Sequence, residues 1–190
     1  EMGESGTSES TWGEGEESVQ QTSIFVAVRL RPMSEKEIHR GDTTVWAVGP
    51  DSQIGVYDKS PSGSGSKAFV PKHRFDAVFG PQASNAEVHA CIGRPVVATV
   101  LKGFNGTVFA YGVTSSGKTH TMMGSAQDPG VVTRVIRDLF QGFCGDVNHV
   151  FRVKVSMMEI YNEVLNDLLD ASRTNLRVQA RGTGGGGKVV

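Results

Sequence analysis

The sequence predicts an α/β layered domain, and three observations lead to that fold class. Apolar, β-branched runs typical of strands alternate along the chain with segments of helical periodicity. The 190 residues, 38% of them hydrophobic, suffice for one domain with a core. A glycine-rich stretch, "GVTSSGKT", stands between a predicted strand and a predicted helix, which is typical of a phosphate-binding loop.

The predicted domain begins after an acidic N-terminal segment. Residues 1–22 are rich in Gly, Ser and Glu, and we expect them to be a disordered tail because they carry little apolar surface to bury. "SIFVAVRLRP" then predicts a buried strand over residues 24–30, which Pro32 ends.

Two capping boxes mark predicted helix starts. "MSEKEIHRG" predicts a helix of one or two turns, because Ser34 and Glu37 have the spacing of a capping box. "SNAEVHACIGRPVVATVLKGF" predicts a longer helix with the same signal at Ser84 and Glu87. Pro95 lies inside the longer segment, so we expect it to kink or divide that helix.

The remaining elements are predicted from shorter patterns. "TTVWAVG", "QIGVYD" and "KAFVPKHRFDAVFG" predict strands, with a flexible loop, "KSPSGSGSK", between the last two. Residues 107–111 predict a strand, and a helix follows from about Gly117. "VVTRVIRDLFQGF" predicts a helix, the alternation in "HVFRVKVSMMEIY" a strand and "NEVLNDLLD" a short helix. The tail "RTNLRVQARGTGGGGKVV" predicts a strand fragment followed by a polyglycine run.

The glycine-rich stretch fits G-x-x-x-x-G-K-[ST] at every fixed position. Glycines let backbone N–H groups converge on an anion, and a following helix adds the positive end of its dipole. Lys118 would supply a charge for the β- and γ-phosphates, and the Thr119 hydroxyl would ligate Mg²⁺. The predicted phosphate-binding residues are Gly112, Val113, Thr114, Ser115, Ser116, Gly117, Lys118 and Thr119.

Other features favour a soluble intracellular protein. No apolar run approaches the roughly 18 residues of a membrane span, and the acidic N-terminus differs from a signal peptide. Cys91 and Cys144 are far apart, which favours reduced thiols over a disulfide. The five histidines have no metal-ligand spacing. The net charge is −1, so the composition indicates neither a membrane nor a nucleic-acid partner.

Four motifs, in family order over roughly residues 23–178, resemble those of the kinesin motor domain. "FNGTVFAYGVTSSGKTHTMMG" resembles the extended P-loop signature of that family, and "VAVRLRP" resembles its first strand. "HRFDAVFG" and "SMMEIYNEVLNDLLD" resemble two further family elements. The wording "EIYNEVLNDLLD" is most similar to the centromere-associated branch of the family.

The resemblance implies a P-loop NTPase fold with three layers, whose central mixed, mostly parallel sheet is flanked by helices. It also implies a cytoplasmic, cytoskeletal motor that uses ATP, ADP and Mg²⁺ and whose hydrolysis is stimulated by microtubules, built of tubulin. Arg29 and Pro32 would flank the adenine on one side and His120 on the other. Guanidinium and imidazole planes stack well on a purine.

The sequence also departs from the family pattern. The N-x-x-S-S-R-S-H and D-x-x-G motifs, which sense the γ-phosphate in the family, do not occur in it. We therefore expect residues 23–178 to be an incomplete motor domain, followed by a divergent glycine-rich tail at 179–190, and the chain alone to be inactive. No oligomeric state is indicated.

Two alternative functions stay open. One is a truncated, non-motile nucleotide-binding product with a regulatory role or none. The other is a different P-loop NTPase or helicase, with "VLNDLLD" as the nearest candidate for its metal-binding carboxylate.

Overall fold

The computed structural model describes residues 24–59, 67–179 and 188–189. The predicted acidic tail at 1–22, most of the predicted loop "KSPSGSGSK" and most of the tail at 179–190 lie outside these residues. The chain divides into two compact units, Glu1–Phe140 and Gln141–Val190.

A parallel strand pair organises the first unit. Strand β1 (Ala27–Arg29) pairs with β5 (Ala77–Phe79), with Ala27 opposite Ala77 and Arg29 opposite Phe79. The N–H of Leu30 continues the ladder by donating to the carbonyl of Phe79 at 2.8 Å. Strand β1 is shorter than the predicted strand, because residues 24–26 lie before the paired segment and form no strand.

A three-stranded antiparallel sheet forms within the crossover between β1 and β5. It contains β2 (Trp46–Val48), β3 (Gln53–Lys59) and β4 (Lys67–Arg74), in the order β2-β3-β4. Strands β2 and β3 confirm the predictions from the first two apolar runs. The third run, residues 67–80, is divided between β4 here and β5 in the other sheet. The pairing shifts register between Ile54 and Gly55, where Lys72 of β4 has no partner on β3, as in a β-bulge.

The Phe69 ring on β4 lies directly over two glycines of this sheet. A Cβ added to Gly49 would fall inside van der Waals contact of ring atoms Cε1 and Cζ. A Cβ added to Gly55 would lie 2.8 Å from the same Cζ and 2.9 Å from Cα of Pro71. The ring therefore occupies the space that side chains at both positions would need.

Both capping boxes form as predicted. Helix α1 (Glu35–His39) begins after Ser34, and α2 (Asn85–Val88) begins after Ser84. In each box the serine hydroxyl accepts the N–H of the glutamate three residues on, and that glutamate accepts the serine N–H, at 2.7 Å for α1 and 2.8 Å for α2. These reciprocal bonds satisfy donors that a helix start leaves open.

The long predicted helix is divided ahead of its proline. After α2 comes a π-helical turn, His89–Gly93, and then α3 (Arg94–Leu101), in whose first turn Pro95 lies. Proline has no N–H to donate, and its ring would clash with a carbonyl four residues back. The wider turn removes that clash, so the expected division is confirmed.

A buried histidine links this π turn to helix α5 (Val131–Cys144). His89 is 4% exposed, and its Nε2 lies 2.8 Å from Oδ2 of Asp138 on α5. Its Nδ1 has no hydrogen-bond partner among the described residues, and Gly93 packs against the same ring. The apolar core of this unit comprises Ile54, Val88, Val97 and Val131.

The strand predicted over residues 107–111 is wrong. This segment adopts no strand, and Phe109 and Tyr111 are 79% and 95% exposed. A strand requires a neighbour to complete its backbone hydrogen bonds, and none of the described strands pairs with this segment.

The second unit contains a β-hairpin where a strand and a helix were predicted. Strand β6 (Met158–Tyr161) pairs antiparallel with β7 (Val164–Asp167). The two turn residues, Asn162 and Glu163, have φ of 47° and 64°, as a two-residue type I′ hairpin turn requires. The predicted helix "NEVLNDLLD" is therefore wrong. Of the strand predicted from "HVFRVKVSMMEIY", only the last four residues form a strand.

A last strand pair joins β8 (Val178–Gln179) and β9 (Lys188–Val189), which confirms the strand fragment predicted near the C-terminus. Parallel and antiparallel strands thus occur together with helices, in a mixed α/β arrangement. Across the described residues, no helix combines the length and the apolar character that a bilayer crossing requires.

Candidate functional site

The predicted phosphate-binding loop leads into a short helix, α4 (Lys118–Met122). The N–H of Ser116 donates to the carbonyl of Val113 at 3.2 Å, which closes a turn with Ser115 at a φ of 64°. Gly117 follows at φ 98° and ψ 13°, directly before the helix. Left-handed conformations cost a residue with a Cβ roughly 1–2 kcal/mol, so glycine suits the last position.

Gly112 makes the start of the loop compact. A Cβ at this position would lie 2.5 Å from Oγ and 3.2 Å from Cβ of Ser116. Any larger residue would therefore push the serine away and open the turn. The two glycines of the motif have separate jobs, one allowing close approach and the other allowing a left-handed backbone.

Backbone donors are left open at the end of the loop. Within the described part of the chain, the N–H groups of Gly117, Lys118 and Thr119 donate to no acceptor. Successive N–H groups in a left-handed-to-helical segment converge and bind anions. The loop therefore offers an anion-binding cradle of backbone donors.

The Lys118 ammonium lies across the mouth of this loop. Its Nζ donates to the carbonyls of Gly112 at 2.7 Å and Val113 at 2.9 Å. These bonds keep a positive charge beside the open N–H groups, in a side chain that is partly buried. Phosphate oxygens can replace the two carbonyls as acceptors, with a stronger charge-assisted bond as the result.

Thr119 fits the role of a magnesium ligand. Thr119 is exposed, and its hydroxyl makes no hydrogen bond to any other described residue. No group of three or more His, Cys, Asp or Glu gathers in a metal-binding arrangement within residues 24–59 and 67–179. Mg²⁺ usually takes one or two protein oxygens together with substrate phosphates, which this donor set matches.

Arg29, predicted to contact adenine, is anchored by three hydrogen bonds. Its Nη1 donates to Oδ1 of Asn85 at 2.6 Å and to Oγ1 of Thr121 at 2.9 Å. Its Nη2 donates to the carbonyl of Ala83 at 2.7 Å. Burial lowers the pKa of the guanidinium, against the opposing effects of Asp128 and Glu87. All three bonds lie in the guanidinium plane, so none of them uses the faces on which a ring would stack.

The chain beyond β1 runs beside the P-loop. A Cβ placed on Gly117 would lie 3.8 Å from Cβ of Arg31, so this part of the predicted adenine segment reaches the loop. Arg31 donates to the carbonyl of Pro32 at 2.9 Å and to both oxygens of Glu37, at 2.7 and 2.5 Å. The Arg31 bond is the main cause that holds the pKa of Glu37 below its usual range. Pro32 itself is exposed.

His120, the third predicted adenine contact, lies on α4 with an exposed side chain. Its carbonyl accepts a hydrogen bond from Nδ2 of Asn85 at 3.1 Å. Asn85 therefore touches the backbone of one predicted adenine residue and the side chain of another, Arg29. The structure brings the P-loop helix and Arg29 together, and Asn85 joins them.

Sequence reasoning missed Asn85 and its partner Asp128. Asn85 is fully buried, at 0% exposure, and it also donates from Nδ2 to the carbonyl of Asp128 at 3.0 Å. Its backbone N–H donates to Oδ2 of Asp128 at 3.0 Å, which is the main cause that lowers the pKa of that carboxyl. Arg134 on α5 pairs with the other carboxylate oxygen at 3.2 Å. The one available signal was an asparagine, a weak helix former, inside the first turn of a predicted helix.

Comparison with known proteins agrees with the motifs. The family model described as kinesin motor domain matches residues 29–189. The kinesin-like protein KIN-7D, mitochondrial, of Arabidopsis thaliana is 44% identical over 162 residues, which is 85% of this chain and 14% of that protein. KIN-7M, chloroplastic, of the same plant is 44% identical over 174 residues, 90% of this chain and 16% of that protein.

A rice relative gives the same result. The kinesin-like protein KIN-7K, chloroplastic, of Oryza sativa subsp. japonica is 44% identical over 163 residues, 85% of this chain and 14% of that protein. The chain thus spans about a seventh of the length of these relatives. The predicted assignment to the centromere-associated branch stays a prediction. The chain belongs to the kinesin motor domain family, whose fold is that of the P-loop NTPases.

Proposed function

We propose that this chain is the nucleotide-binding part of an ATP-dependent microtubule motor. The observation that carries the proposal is the P-loop, in which Lys118 lies beside open backbone N–H groups at the start of α4. Kinesin motors as a family bind nucleotide with Mg²⁺ and are microtubule-stimulated ATPases. The proposal extends these properties to the protein that carries these residues.

The phosphates of ATP would lie in the loop, where the N–H groups of residues 117–119 and the Lys118 ammonium donate to their oxygens. Lys118 would exchange its two carbonyl acceptors for β- and γ-phosphate oxygens. The Thr119 hydroxyl would hold Mg²⁺, which would supply positive charge to offset that of the phosphates. Residues Gly112 to Ser116 shape the loop around these donors.

The adenine would lie between the Arg29–Pro32 segment and His120. The bonds of Arg29 are made in the guanidinium plane and do not use its faces, which supports this placement. Pro32 is exposed at the end of the segment, and its ring offers an apolar surface. The exposed imidazole of His120, directly after Thr119, would cover the opposite face of the base.

We propose tubulin in microtubules as the protein partner and the cytoplasmic cytoskeleton as the location. Both proposals rest on the family, because kinesins act on microtubules. The names of the three relatives above place them in mitochondria or chloroplasts, and those locations are said of the relatives alone. Imaging of the tagged protein together with tubulin would test the location.

Replacement of Lys118 by alanine tests the nucleotide site. The variant loses the charged donor and two charge-assisted bonds to phosphate, so the Kd for MgATP should rise about a hundredfold or more. Titration with a fluorescent ATP analogue in the presence of Mg²⁺ measures this constant.

Lys102→Ala is the matched control. It removes the same charge from an exposed side chain just after α3, outside the loop. The control should keep wild-type affinity. Equal affinity of wild type and Lys118→Ala would refute the P-loop assignment.

A further inference from the structure

The buried Asn85 amide sits between two parts of the proposed nucleotide site. On one side its Oδ1 accepts from Arg29 at 2.6 Å, and on the other its Nδ2 donates to the carbonyl of His120 on α4 at 3.1 Å. The same nitrogen donates to the carbonyl of Asp128 at 3.0 Å. Each polar atom of the amide therefore has a defined partner, and the group has one orientation.

The backbone of Asn85 is fixed as well. Asn85 is the first residue of α2, where an N–H normally lacks an intrahelical acceptor. Here the N–H donates to Oδ2 of Asp128 at 3.0 Å, and the capping box of Ser84 and Glu87 holds the same turn. Because both its backbone and its amide are anchored, the Asn85 side chain can hold a contacting group in a fixed position.

The group that Asn85 holds is the Arg29 guanidinium, on the side of the site where the adenine would lie. The guanidinium donates in-plane bonds in two directions, to Asn85 and Ala83 near the start of α2 and to Thr121 on α4. Together these acceptors determine the plane of the guanidinium relative to the P-loop helix. A stacked base needs that plane, whereas phosphates in the loop do not touch it.

We propose that Asn85 is a positioning residue of the nucleotide site: it fixes the Arg29 plane relative to α4, so that base and phosphates bind in register. This inference rests on the proposed function, since it needs a ligand that spans Arg29 and the P-loop. It assigns no contact between Asn85 and the ligand. Its effect passes through Arg29.

The test compares a ligand that spans both parts of the site with one that reaches only the loop. Kd values for MgATP and for magnesium tripolyphosphate are measured in the longest expressed form of the protein. Asn85→Ala should weaken the binding of MgATP about tenfold, the usual scale for loss of one buried hydrogen bond, here the one to Arg29, and leave the binding of tripolyphosphate nearly unchanged. A merely structural role would weaken both ligands by the same factor.

A double-mutant cycle tests whether the effect passes through Arg29. In an Arg29→Ala background, Asn85→Ala should have no further effect on the Kd for MgATP. Asn148→Ala is the matched control, because the side chain of Asn148 is exposed in the second unit and its hydrogen bond to Asp146 is donated by the backbone N–H. It should leave both constants unchanged.

Thr121→Val gives a second route to the same answer if Asn85→Ala does not fold. It keeps the side-chain shape and removes the other side-chain acceptor of Arg29, so it should weaken MgATP and spare tripolyphosphate. The inference would be overturned, while the proposed function stands, if Asn85→Ala binds MgATP as tightly as wild type does. If Asn85→Ala does not fold, the same result in Thr121→Val would overturn it. A parallel loss of both ligands, or an equal effect of Asn85→Ala in the Arg29→Ala background, would overturn it too. If wild type binds neither ligand better than Lys118→Ala does, the proposed function fails and this inference fails with it.

Discussion

Gly93→Ala should destabilise the chain, although alanine is the better helix former. A Cβ at this position would fall inside van der Waals contact of Nδ1 of His89, and it would lie 2.7 Å from Cε1 and 3.2 Å from Cγ of the same ring. The ring is buried and is held by Asp138 at 2.8 Å, so it cannot turn aside without losing that bond. Gly93 has ordinary helical angles, φ −71° and ψ −47°, so backbone conformation is not the obstacle.

The magnitude follows from two unfavourable contributions and one favourable one. Overpacking of a fixed core costs about 1–3 kcal/mol, and disturbance of the His89–Asp138 bond adds about 1 kcal/mol. Replacement of glycine by alanine in a helix returns about 1 kcal/mol. The net loss is therefore about 1–3 kcal/mol, which lowers Tm by roughly 3–9 °C for a chain of this size.

A double-mutant cycle with His89→Ala tests this explanation, because the effect of Gly93→Ala on stability should change sign. Without the imidazole the three closest contacts of the added methyl group are gone, so Gly93→Ala should raise the stability of the His89→Ala variant by about 0.5–1 kcal/mol. Chemical denaturation followed by circular dichroism gives the four free energies of unfolding. Gly80→Ala is the control, since its Cβ would meet Val48 Cγ2 at an ordinary 3.6 Å. If Gly93→Ala stabilises the wild-type protein, the packing argument is refuted.

Two further predictions concern a charge and a turn. The pKa of Asp128 is lowered mainly by the N–H of Asn85, so its contribution to stability is present above about pH 4 and is lost as the pH falls below it. The advantage of wild type over Asp128→Asn in denaturant melts should shrink across that range, and a constant difference would contradict the assignment. Glu163→Gly should raise stability by up to about 1 kcal/mol, because Glu163 holds a φ of 64°. A lower Tm for Glu163→Gly would show that the glutamate side chain contributes more than its backbone strain costs.

Local signals in the sequence predicted the local structure well. The capping boxes at Ser34 and Ser84 are made within four consecutive residues, and they form as expected. Pro95 divided its helix because proline acts on its own turn. The P-loop motif likewise contains its own determinants, namely two glycines and a lysine that bonds to carbonyls within the same loop.

Long-range contacts explain what the sequence did not reveal. Residues 107–111 have strand composition and no described strand beside them, and composition cannot indicate a neighbour. The β6–β7 hairpin depends on a left-handed Asn162–Glu163 turn, a conformation for which the sequence lacks the usual glycine. Asn85 binds partners 56 residues before it and 35 and 43 residues after it, so no local pattern could identify its role.

The Phe69 ring couples the evolution of positions 49 and 69. The three atoms nearest to a Cβ at Gly49 all belong to the ring, so this glycine cannot be exchanged while the phenylalanine remains. Gly55 is different, because the backbone carbonyl oxygen of Val70 and the Cα of Pro71 would block a side chain there even without the ring. Among homologous proteins, large side chains at 49 should therefore occur with small ones at 69, whereas position 55 should stay glycine whatever residue occupies 69.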